Sequence, residues 1–137
     1  MGQEVANANR AFYEAFEARD LDLMSAVWEH SDRVVCTHPG WATLRGWGAV
    51  SGSFFALFTR SRQSLQFILT DERIVIAGDT AWVSVDENIL GDLEGATVAS
   101  LNLFAREKET GRWRMVAHHG SAVAPPSEAG SEGEPSG

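Results

Sequence analysis

The chain has one cysteine, Cys36, so no internal disulfide can brace it, which fits a reducing compartment. Cys36 lies in a run of valine and threonine, where a small buried hydrophobe is expected rather than a nucleophile. Basic residues are scarce: eleven Lys and Arg stand against nineteen Asp and Glu, for a formal net charge of -8. They form no clustered basic face, so neither nucleic acid nor an anionic membrane surface is an expected partner. No apolar run approaches the roughly 20 residues of a membrane-spanning helix. The opening Met1-Gly2-Gln3-Glu4 lacks the basic and apolar regions of a secretory leader, and Ala6 departs from the myristoylation pattern. The expected location is therefore cytoplasmic. The sequence also lacks a glycine-rich phosphate loop, a cofactor-lysine motif and a helical His-Glu-x-x-His pair, so neither a cofactor nor a metal is expected.

A length of 137 residues favours one domain with one compact site. The domain is expected over residues 1–124. Beyond it, residues 125–137 read as a disordered acidic tail of Pro, Gly, Ser and Glu. Within the domain, Val5, Ala8, Phe12, Ala15 and Phe16 recur at helical spacing, giving a first amphipathic helix over about 3–18. Asp20 caps a short second helix carrying Leu21, Met24, Val27 and Trp28. A short strand, 34–37, follows, and then a third helix from Gly46 to about Arg60 with Trp47, Val50, Phe54, Leu57 and Phe58 on its stripe. The period then changes to two. Strands are expected over 65–77 with a bulge near Asp71-Glu72, over 81–90, 97–106 and 113–121, joined by Gly78-Asp79, residues 91–95 and Glu109-Thr110-Gly111. Three helices before a run of hairpin-linked strands predict an α+β domain, with helices covering one face of a curved antiparallel sheet.

Three of the four histidines close apolar strands. His38 ends Val34-Val35-Cys36-Thr37 and is locked by Pro39, with Trp41 just beyond, and His118-His119 ends the last strand. Imidazole is the side chain most easily moved across neutral pH, and strand ends beside loops are where small domains place ligand chemistry.

The ordered set Asp20-Leu21, Val27-Trp28, the Val34-to-Trp41 strand and turn, Leu44-Arg45-Gly46-Trp47, Ala81-Trp82-Val83-Ser84, Ala99-Ser100-Leu101-Asn102 and Gly111-Arg112-Trp113 before His118-His119 resembles the SnoaL-like branch of the nuclear-transport-factor-two-like superfamily. The resemblance implies a cone-shaped α+β roll with an internal cavity between helices and concave sheet. It also implies frequent homodimerisation through the outer sheet face. The ketosteroid isomerase site of that superfamily, carried over by position, falls on His38 for its base, on or near Asn102 for its acid and on Phe12 for its tyrosine, with Tyr13 one position off. No member of that triad is kept, so steroid isomerisation is rejected, whereas proton transfer by an imidazole remains permitted.

Strand parity then sorts the cavity wall. With Asn102 inward, Ser100 and Phe104 join it. The matching sets are Trp82, Ser84, Asp86, Asn88 and Leu90 on the preceding strand, and His119 with Trp113, Met115 and Ala117 on the last, a bulge exchanging Asp86 for Glu87. His118 is expected at an edge or interface. His38, Asn102 and His119 are thus the candidate catalytic residues, and Trp41, Ser84, Asp86, Glu87, Ser100 and Phe104 the candidate ligand contacts. Such a pocket suits a small, partly apolar molecule bearing a hydroxyl or carbonyl. Two functions follow: a small-molecule binder or cofactor-independent isomerase, cyclase or dehydratase with a histidine base, or a dimeric scaffold with a vestigial cavity. A sealed, fully hydrogen-bonded interior favours the scaffold, and an unpaired imidazole favours chemistry.

Overall fold

The computed structural model describes residues 2–60, 64–90 and 96–124; the tail at 125–137 and the 91–95 loop lie outside them. Helix α1 spans Gly2–Ala18 and buries Val5, Asn9, Phe12, Tyr13 and Ala15. It ends where Arg19 takes a left-handed φ of 53°, Arg19 N–H bonding Phe16 O and Asp20 N–H bonding Ala15 O. That pair of bonds caps the last carbonyls and reverses the chain directly into helix α2, Leu21–Val27. Asp20 is its N-cap, its carboxylate accepting from Leu23 N–H at 3.1 Å. Helix α3 spans Trp47–Arg60 and buries Val50, Ser53, Phe54 and Phe58.

The strands are β1 (Val35–Thr37), β2 (Leu44–Arg45), β3 (Gln66–Ala77), β4 (Thr80–Leu90), β5 (Ala96–Arg106) and β6 (Trp113–Ala122). They form one sheet in the order β2-β1-β6-β5-β4-β3. The long strands pair as antiparallel hairpins, but β1 runs parallel to β6, so the sheet is mixed rather than purely antiparallel. This parallel contact sets Thr37 opposite His119 and Cys36 opposite His118, bringing the two histidine-bearing strand ends together. The two-residue β2, absent from the periodicity, pairs with β1 after the turn at Gly40.

Between the helices and the sheet the space is filled by aromatic rings. Phe12 packs edge-on to Tyr13, Phe16, Trp28 and Phe54, with centroids 4.9 to 6.5 Å apart. Met24, Val34, Val83, Phe104 and Met115 are fully buried around them. Each such side chain contributes about 1.5–3 kcal/mol by leaving water, so this cluster dominates the stability of the domain.

Two register irregularities decide which residues reach that interior. In β3 the pairing slips between Thr70 and Arg73, where Asp71 has a φ of 55°, as the bulge near Asp71-Glu72 anticipates. In β6 it slips between the partners of Leu103 and Phe104, which are Ala117 and Met115, leaving Val116 as an extra residue. An added residue exchanges the two faces of a strand beyond it. His118 therefore points inward and His119 outward.

Candidate functional site

The inward face of the sheet carries a polar cluster within its apolar surround. The β4–β5 register pairs Val83 with Asn102 and Val85 with Ser100, so odd residues of β4 share the face of even residues of β5. Asn102, Ser100 and Phe104 are buried as the strand pattern predicts, and Glu87 is buried with them. Ser84 and Asp86 lie on the other face; the expected parity was offset by one across this hairpin, with no bulge needed to bring Glu87 inward. His119 is exposed there too, for the reason given by the Val116 bulge, and His118, expected at an edge, is 3% exposed.

The cluster is a continuous chain of hydrogen bonds. Tyr13 Oη donates to Glu87 Oε2 at 2.5 Å, and Ser100 Oγ donates to the same oxygen at 2.7 Å. Asn102 Nδ2 donates to Tyr13 Oη at 3.0 Å and to Asn9 Oδ1 at 2.8 Å. Its own Oδ1 lies 2.5 Å from His118 Nδ1, across the strand pair that sets Asn102 opposite His118. Asn9 Nδ2 in turn donates to Glu72 Oε2 at 2.9 Å, within the β3 bulge. Because an amide oxygen can only accept, His118 Nδ1 carries a proton. Neutral His118 then has its lone pair on Nε2, which makes no hydrogen bond among the described residues.

His38 closes the other end. Its Nε2 is 2.9 Å from Ser53 Oγ, and Ser53 has committed its hydroxyl proton to Val50 O at 2.7 Å. Ser53 can therefore only accept, and His38 donates to it from Nε2. The His38 and His118 rings are 6.4 Å apart. Trp41, 43% exposed, meets the His38 ring edge-on at 4.9 Å and lies at the rim of the site.

Burial disfavours the charged forms of His38, His118, Glu87 and Tyr13. The His38 pKa is lowered to about 4 by desolvation. That of His118 is lowered to about 3, first by desolvation and then by the neighbouring His38 and His119. Burial raises the Glu87 carboxyl above its ordinary range, against the opposing hydrogen bonds from Tyr13 and Ser100. Tyr13 is raised too, by burial and by Glu87. Cys36, whose sulfur is 3.7 Å from His38 Nε2, is pushed up to about 12 by burial, so this thiol is not a nucleophile at neutral pH.

Of the predicted residues, the structure brings His38, Asn102, Glu87, Ser100 and Phe104 to the interior and Trp41 to its rim; Ser84, Asp86 and His119 face away. Sequence reasoning missed Asn9, Tyr13, Ser53 and Glu72. Asn9 had a visible signal, since it stands four residues after Val5 and three before Phe12, a polar side chain on an apolar stripe. Among the described residues no group of three or more His, Cys, Asp or Glu is placed to hold a metal. A separate groove of about 480 Å³ runs between α1, α2 and the β5–β6 turn, lined by Ala8, Ala11, Leu23, Ala26, Arg112 and Trp113 among others. None of the polar cluster lines it.

A family model described as "SnoaL-like domain" matches residues 5–125. Among solved structures, the chain is similar to a proposed dehydratase of the NTF2-like family from Streptomyces avermitilis, at 36% identity and a TM-score of 0.81 over 90% of this chain and 96% of that one. It is also similar to a proposed calcium/calmodulin-dependent protein kinase type II association domain from Thiobacillus denitrificans, at 38% identity and a TM-score of 0.72 over 85% and 93% of the two chains. Among curated proteins it is 29% identical over 119 residues to the F-box protein SKIP8 of Arabidopsis thaliana, covering 87% of this chain and 49% of that protein. The chain thus spans about half the length of that relative.

Proposed function

The chain belongs to the SnoaL-like domain family, and from that premise we propose that its interior binds a small uncharged molecule bearing a hydroxyl or carbonyl. The observation that carries this reading is the chain Glu87–Tyr13–Asn102–His118, whose ends are an acid pushed toward its neutral form and an imidazole with an unused lone pair. Such a site offers neutral donors and acceptors in a place where an unpaired charge costs several kcal/mol. It therefore selects against ions. His118 Nε2 accepts from a ligand hydroxyl, and displacement of Trp41 from His38 opens the way in. The low basicity of both imidazoles favours holding a ligand over removing its proton at neutral pH. The isomerase, cyclase and dehydratase chemistries, the last named for the Streptomyces relative, would all act on ligands of this class.

The test pairs native mass spectrometry of the purified protein, to find a co-purified molecule, with titration of benzyl alcohol and benzaldehyde against benzoate. The neutral probes should bind more tightly than the carboxylate, and His118→Phe should weaken them about tenfold through one lost hydrogen bond. Equal binding of benzoate, or no bound molecule and no response to any probe, would remove the reading.

Assembly is a second reading, favoured by the outer sheet face. There Val75, Trp82, Leu103 and Ala117 form one cross-strand row, and Leu101 in the next row is 42% exposed. An apolar strip of this kind on a β-sheet fits a homodimer. Sedimentation velocity should show a dimer that Leu101→Glu converts to a folded monomer. A monomeric wild-type protein at micromolar concentration would exclude it.

A further inference from the structure

We infer that two carboxylates, Glu72 and Glu87, fix which nitrogen of His118 carries the proton, acting through separate hydrogen-bond paths that converge on Asn102. The inference rests on the reading of the interior as a ligand site, because its consequence is the lone pair offered at His118 Nε2.

A primary amide has one accepting end and one donating end, so an asparagine between two partners transmits direction. The first path starts at the surface. Glu72 Oε2 accepts from the Nδ2 end of Asn9 at 2.9 Å. Asn9 then turns Oδ1 to Asn102 and receives its Nδ2 at 2.8 Å. With its donating end engaged, Asn102 presents Oδ1 to His118. Only a protonated Nδ1 satisfies that oxygen.

The second path starts in the core. Glu87 Oε2 accepts from both Tyr13 and Ser100, and it does so whether or not the other carboxyl oxygen carries a proton. Tyr13 has a single hydroxyl proton, which is spent on Glu87. Its oxygen can then only accept, and the donor facing it is again Asn102 Nδ2 at 3.0 Å. Both paths impose the same orientation on Asn102, and through it the same tautomer on His118. Asp71, at its positive φ, belongs to the β3 bulge that delivers Glu72 to the outer end of the first path. Glu72 and Glu87 are thus positioning residues acting through Asn9, Tyr13 and Asn102.

The experiment reads the tautomer directly, by long-range proton–nitrogen correlation spectra of the full chain with nitrogen-15-labelled histidine at neutral pH. Wild-type His118 should show a single form protonated at Nδ1. Tyr13→Phe alone should keep it, since the Glu72 path still orients Asn102. Adding Glu72→Gln retains a hydrogen bond to Asn9 but not its direction, because glutamine presents either end. In Tyr13→Phe/Glu72→Gln both tautomers should appear, with a preference below about tenfold. A wild-type ring protonated at Nε2, or a double variant with the tautomer unchanged, would overturn the inference. A wild-type ring protonated at Nε2 overturns the inference even where a variant fails to fold, and no ligand is needed, so the result is independent of whether the interior binds one.

Discussion

Asn102→Leu should lower the unfolding free energy by about 3–5 kcal/mol, because leucine keeps the volume but leaves several buried partners unmade at about 1–3 kcal/mol each. The amide makes three hydrogen bonds from a fully buried position: to Asn9, to Tyr13 and from His118. Its loss strands the His118 Nδ1 proton and the Asn9 carbonyl at buried positions, 3% and 0% exposed. The outward neighbour His119 is the matched control, and His119→Ala should stay within about 0.5 kcal/mol of wild type. Urea unfolding of the three proteins measures both values. An Asn102→Leu protein as stable as the control would mean that the network does not hold the interior together. The size of the effect also separates two roles of Asn102: weakened ligand binding is meaningful only in a variant that stays folded, which is why His118→Phe, at the chain's end, is the better binding probe.

Much of this fold was legible because hydrophobic period and turn chemistry agree along the chain. The stripe from Val5 to Phe16, the Asp20 cap, the Gly78 turn and the β3 bulge at Asp71-Glu72 all fall where the sequence places them. The site was legible only in part, for two physical reasons. Facing in β6 depends on one extra residue, Val116, which carries no glycine or proline to mark it; its β-branched side chain suits a regular strand equally well. Facing in β4 depends on the β4–β5 register, and nothing in the alternation of Trp82, Val83, Ser84 and Val85 says which member meets Asn102. A shift of one residue at each strand moved His119, Ser84 and Asp86 to the outer face and brought His118 and Glu87 in. The position-by-position carry-over from ketosteroid isomerase failed similarly. It fell on Phe12, whereas the hydroxyl that reaches the interior belongs to Tyr13, packed edge-on beside it.

The second large effect is on the pH dependence of stability. His38 and His118 have folded pKa values of about 4 and about 3, below the ordinary 6.5, so the unfolded chain takes up their protons first as pH falls. The stability these neutral rings confer is fully present above about pH 6.5 and is lost as pH falls toward 4, by about 3 kcal/mol for His38 alone. Glu87 has the opposite sign. Its folded pKa is raised above the ordinary 4.5, so its contribution is present below that value and declines as pH rises toward the folded value. The protein should therefore be most stable over an intermediate window, with a steep acid side. Urea midpoints across the pH range check this. Glu87→Gln should remove the decline on the upper side while leaving the acid side intact, and His118→Phe should flatten the acid side. An acid limb unchanged in His118→Phe would assign it to other groups.

The same neutrality underlies the choice of an uncharged ligand, since a site that pushes its own acid and imidazoles toward their neutral forms disfavours a charged guest equally. It is tested most directly by following the imidazole carbon-bound proton resonances of His38 and His118 from about pH 8 down to about pH 5. Both should stay fixed across that interval and move only as pH approaches 4 and below. A midpoint near 6.5 for either ring would show a hydrated, chargeable site and contradict the account.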